Sequence, residues 1–209
     1  MVRTILEAAP ILNLESAGIL MTPEEFDAAE QFDENFRYEL VHGVLVVHAI
    51  PLPEETSPNE LLGYYLLTYK EAHPNGSVLD LTLPQQYVRP KRSRRLADRL
   101  IWIGLGRVPN LRRDPASIAI EFVSAGKRNR RRDYIDKLQE YREAGIKEYW
   151  IIDRFQRTLT VIHYRGRKPT RQVFQEGQTY ESSLLPGFEV PLARLLAAAD
   201  QFSPKRRKV

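Results

Sequence analysis

The chain has 209 residues, 43% hydrophobic and 10% aromatic, which suits one domain with an ordinary buried core. It has no cysteine, so disulfides, thiolate metal sites and a cysteine nucleophile are excluded and a cytoplasmic setting is expected; no apolar stretch approaches the roughly 18 residues of a bilayer span, so no membrane partner is expected. The net charge of +4 is uneven: residues 1–69 carry two basic and twelve acidic side chains (−10), residues 70–209 carry +14, and such an excess fits either uneven solvated charge or a polyanionic partner.

Residues 1–21 show no clear period and read as an extension before the domain, which spans 22–200. Thr22-Pro23-Glu24-Glu25 predicts a helix start, with Thr as N-cap, Pro in the first position and acids in the first turn. Two β-rich runs around His42-Gly43 predict a hairpin over 36–47. Pro51 to Pro58 reads as a Pro/Glu loop, and Leu61, Leu62, Tyr65, Leu66 and Tyr69 place a helix over 59–72. Short strands are expected at Val78–Leu81 and Gln86–Val88, joined around Pro84. A basic loop over 89–95 leads into an apolar strand from Asp98 to Ile103. Ser117–Val123 predicts a second internal strand, and 130–144 a charged helix stopped by Gly145. Strands at 148–152, 158–164 and 171–174 and a helix at 192–199 follow, before a basic tail over 201–209. The order predicts an α/β fold, a central mixed β-sheet flanked by helices, with an N-terminal helix and β-hairpin.

Dinucleotide, phosphate-loop and nucleophile-elbow motifs are absent. What stands out is acid on apolar strands: Asp98 opens one and Glu121 sits inside another. A buried carboxylate needs a partner. Either each forms a salt bridge with a nearby arginine, or the two serve as hard oxygen ligands for a divalent cation such as Mg²⁺. Five of the six residues 127–132 are basic, at a helix start whose dipole favours acids. A phosphate backbone there would relieve both the self-repulsion and the dipole cost. Lys137 shares a helix face with Tyr134 and Tyr141 and follows Asp133 by one turn. It either snorkels at the helix edge or points inward toward Glu121.

Three segments together resemble a known family: Glu121-Phe122-Val123-Ser124, the Arg131-Arg132-Asp133-Tyr134-x-x-Lys137 run, and Tyr141-x-x-x-Gly145-x-x-x-Tyr149-Trp150-Ile151-Ile152-Asp153. They are similar to the Uma-two family of endonucleases, in the PD-(D/E)XK restriction-endonuclease-like superfamily. Residues 36–45 and Leu185-Pro186-Gly187-Phe188 resemble its hairpin and its C-terminal portion. The resemblance implies a restriction-endonuclease-like fold and metal-dependent DNA cleavage with Mg²⁺ or Mn²⁺. It implies Asp98 and Glu121 as metal ligands, Lys137 as the catalytic lysine moved onto the helix, and Glu39 as an added acid. Arg94, Arg95, Arg128, Arg130, Arg131 and Arg132 would then contact the DNA backbone. RNA is an open alternative substrate, a homodimer is plausible by analogy with strand-cutting enzymes, and a catalytically inactive nucleic-acid-binding module is the runner-up. The chain departs from the family pattern at Ala97, Val123 and Asn59, where proline, lysine and histidine are favoured.

Overall fold

In the computed structural model, which describes residues 11–202, six strands form one sheet in the order β10-β9-β8-β7-β6-β5. These are β5 (Leu79–Val88), β6 (Arg95–Ile103), β7 (Ile118–Phe122), β8 (Glu148–Asp153), β9 (Thr158–His163) and β10 (Thr170–Gln175). Within this sheet only β7 and β8 pair in parallel, and the helical segment between them crosses over one face, as a parallel connection requires. The basic residues of 203–209 lie outside the described residues.

Alternation along β7 explains the layers. Ile118, Ile120 and Phe122 point to a core closed by α2 (Pro53–Ala72) and α5 (Leu192–Asp200). Ala119 and Val123 point to the opposite core, closed by the crossover helix through Tyr141. Both faces are therefore covered, which is why β7 and β8 are apolar almost throughout. Glu121, in phase with Ala119 and Val123, faces the crossover helix.

Before the sheet lie β1 (Ile11–Leu12), α1 (Pro23–Ala28), β2 (Gln31–Phe32), and the hairpin β3 (Phe36–Val41) and β4 (Val44–Ala49). Thr22 and Glu25 close a reciprocal capping box on α1. His42 and Gly43 both take positive φ, 51° and 86°, the left-handed pair of a two-residue hairpin turn. Leu12, Met21, Phe26, Tyr38, Leu40 and Leu45 build a separate small core. Leu40 pairs its backbone with that of Arg94, docking the hairpin on the start of β6.

Three expectations change. The Pro/Glu segment is helix, not loop: Pro53 takes the first position of α2, where its missing N–H costs nothing, and Glu54 and Glu55 complement the dipole. The strands around Pro84 are one strand, because β5 is a sheet edge, where a missing N–H donor is tolerated. The charged helix begins earlier and is not uniform: α3 (Lys127–Arg131) passes through a π-turn at Arg132–Asp136 into α4 (Lys137–Glu143).

Candidate functional site

β6 and β7 are antiparallel, with Arg99 opposite Ile120. Continuing that register by one residue sets Asp98 opposite Glu121, and paired residues share a face. The regular ladder ends there because Asp98 Oδ2 takes the Phe122 N–H at 2.7 Å. Asp98 thus leans on the backbone beside Glu121, and its Oδ1 accepts no hydrogen bond among the described residues. Burial pushes the Asp98 carboxyl up to about 6, against the opposing pull of the Phe122 N–H and Lys137.

Lys137 is 1% exposed and its Nζ lies 2.8 Å from Glu121 Oε1. It also lies 3.6 Å from Asp133 and 3.8 Å from Glu39. Burial disfavours the ammonium, but Glu121, Glu39 and Asp133 together outweigh burial and raise its pKa. The π-turn ends where Lys137 begins, and π-turns cluster at functional sites because they re-aim side chains. One turn on, the Tyr141 hydroxyl donates to the same Glu121 oxygen. Burial raises the Glu121 carboxyl; Lys137 opposes this while Asp98 and Asp133 add to it. Glu121 Oε2 is left without a hydrogen bond among the described residues.

Glu39 reaches this cluster from the hairpin. Its carboxylate accepts from Leu96 N–H at 2.9 Å and meets His48 at 3.2 Å and Arg95 at 3.4 Å. Burial would raise its pKa, but Lys137, the His48 bond, Arg95 and Arg132 outweigh that and hold it down to about 2. Asp98, Glu39 and Lys137 line one cleft of about 290 Å³ with Arg37, Asn129 and Arg132.

The basic residues divide. Arg128 is exposed, Arg131 is exposed and only loosely paired with Asp136 at 3.7 Å, and Arg132 is held to Asp133 at the cleft wall. Arg130 is tied to the buried Asp153 at 2.7 Å. The expectation that Arg94 and Arg95 contact DNA is corrected. Arg94 is spent on a bidentate pair with Asp27, and Arg95 is buried between Glu140 and Glu39. Arg94 ties the start of the sheet strand β6 to α1, and Arg95 ties it to the hairpin and α4.

Two site residues, Arg37 and Gln85, escaped sequence reasoning, and Asn59 stood out there only as a departure from the family pattern. Arg37 lines the cleft near Asp98, whose charge attracts it, yet it forms no salt bridge among the described residues and its buried Nε has no hydrogen bond. Gln85 falls opposite Asp98, because Pro84 pairs Arg99 and Gln86 pairs Ala97. Asn59 bridges the Asp98 carbonyl at 2.8 Å and the Arg99 guanidinium at 2.7 Å, fixing the strand that presents Asp98. The only sequence signals for Arg37 and Gln85 were an arginine that is one of two basic residues in 1–69 and a polar residue beside Pro84.

Residues 23–194 match the family described as Uma2, putative restriction endonuclease, so the chain belongs to that family. Among solved structures it is similar to a putative nuclease belonging to DUF820 from Anabaena variabilis, at TM-score 0.64 and 12% identity over 86% of this chain and 99% of that one. That likeness establishes the restriction-endonuclease-like α/β fold. No curated protein matches.

Proposed function

We propose that this Uma2 family member hydrolyses phosphodiester bonds in DNA with a divalent cation, Mg²⁺ or Mn²⁺, at Asp98 and Glu121. One observation carries the reading. Two paired carboxylates, Glu121 buried and Asp98 half-buried, each keep one oxygen free of hydrogen bonds among the described residues, with the Lys137 ammonium 2.8 Å from the other oxygen of Glu121. Such a pair of hard oxygens suits Mg²⁺, which is commonly held by one or two carboxylates plus substrate phosphate. A bound cation would supply Lewis acidity toward the scissile phosphate.

The chain's own residues do the rest. Lys137, fixed by Glu121, Glu39 and Asp133, holds a positive charge where negative charge grows on the phosphate. Arg37, attracted by the Asp98 charge but forming no salt bridge among the described residues, is placed at the cleft to take a phosphate oxygen. Arg128 and Arg131 hold the flanking backbone without reading sequence.

A second reading, a nucleic-acid-binding module that keeps the fold without catalysis, is favoured by one feature. No three metal-ligating side chains converge among the described residues, and Glu121 is already engaged by Lys137 and Tyr141. Supercoiled plasmid incubated with Mg²⁺ or Mn²⁺ separates the two. Nicking that Glu121→Gln abolishes supports hydrolysis. Salt-sensitive binding without nicking, unchanged in Glu121→Gln, supports the binding module.

A further inference from the structure

Next to the cleft at Asp98 lies a second cavity of about 460 Å³, and Arg37 and Gln85 belong to the walls of both. Its far side is aromatic. Phe26 and Tyr87 pack edge to face at 5.5 Å, and Phe36 and Phe32 complete the lining. Phe32 is 55% exposed, an apolar ring left in water on the rim.

Gln85 is the unusual member. It is a non-glycine residue at φ 54°, a backbone conformation that costs energy and persists only where something holds it. Its amide makes no hydrogen bond among the described residues, although it is half-buried. The strain thus aims a free donor and acceptor at the junction of the two cavities. Arg37, at the same junction, makes no salt bridge among the described residues, and its buried Nε has no hydrogen bond.

We infer that this cavity is a nucleobase site: it receives one unstacked base of a strand whose phosphate lies in the neighbouring cleft. The chemistry of the walls matches. Aromatic rings offer faces for stacking, which is the sequence-tolerant part of single-strand binding. A glutamine amide offers the paired donor and acceptor that base edges present. Arg37 bridges base site and phosphate site. A duplex would have to extrude the base into it, and single-stranded or damaged stretches would enter at lower cost. The inference rests on the proposed nucleic-acid reading of the adjoining cleft.

Fluorescence anisotropy in EDTA, which prevents cleavage, tests it with two probes: a short single-stranded oligodeoxyadenylate and an abasic strand of equal length. The wild type is expected to bind the base-bearing strand about tenfold more tightly. Phe32→Ala, and separately Gln85→Gly, which keeps the left-handed backbone accessible, are expected to remove most of that preference. Binding of the abasic strand is expected to be unchanged in Phe32→Ala, since Phe32 lies outside the phosphate cleft. Arg128→Glu is expected to weaken both strands alike. Equal wild-type binding of the two strands, or a preference that survives both variants, overturns the base site and leaves the nucleic-acid reading standing. No binding of either strand or of duplex overturns the proposed function and the base site together.

Discussion

Asp98→Asn isolates the buried charge. Burial lifts the Asp98 carboxyl from 3.8 to about 6, so the folded protein holds that proton more tightly than the unfolded chain. The ionised form therefore costs nothing below about pH 3.8, and the cost grows until it is complete above about pH 6. At about 1.4 kcal/mol per tenfold, it comes to about 3 kcal/mol. Asparagine keeps the shape and a side-chain oxygen for the Phe122 N–H while removing the charge. In metal-free buffer near pH 7.5 the variant should be more stable by up to about 3 kcal/mol, a rise in Tm of up to roughly 10 °C for a chain of this size. Near pH 4 the advantage should fade. Thermal unfolding followed by circular dichroism with EDTA at the two pH values measures both. Adding Mn²⁺ near pH 7.5 should raise Tm of the wild type and not of the variant, because a ligand that binds only the folded site stabilises it by mass action. A variant no more stable than wild type at the higher pH would refute the buried-charge argument. An equal Mn²⁺ response in both proteins would refute Asp98 as a ligand.

Two further outcomes follow from the same geometry. Lys137→Met leaves Glu121 buried without its cation and should cost about 3–5 kcal/mol in urea unfolding near pH 7.5. Adding Glu121→Gln to that variant should recover much of the loss, since a neutral amide needs no counter-charge. Arg128→Glu with Arg131→Glu should leave Tm within a degree or two of wild type, both side chains being exposed, and should lower the slope of log binding constant against log salt by about two on duplex DNA.

Much of the fold was legible because its signals are local. The capping box at Thr22, the left-handed turn at His42-Gly43 and the alternation in β7 each depend on residues two to four positions apart. The site was partly legible for the same reason: acid inside an apolar strand demands a partner, and Lys137 at helical spacing from Tyr134 and Tyr141 faces inward. The loop expected at 51–58 failed because its three prolines read as breakers, although a first-position proline starts a helix. The basic run at 89–95 misled because arginine counts say nothing about which carboxylates the chain brings near. Arg94 and Arg95 met Asp27, Glu39 and Glu140, all distant in sequence.

The sequence by itself therefore determined the α/β order of elements and pointed to the family, and it singled out Asp98, Glu121 and Lys137 as candidates, each within its own strand or helix. Only the tertiary structure decided which arginines are spent on internal pairs and that Arg37 stands at the cleft with its Nε free of hydrogen bonds. It also decided that a strained Gln85 stands opposite Asp98, where two cavities meet. The reason is physical. Strand register and the docking of the hairpin set these neighbours, and both are products of how the whole chain buries its apolar faces.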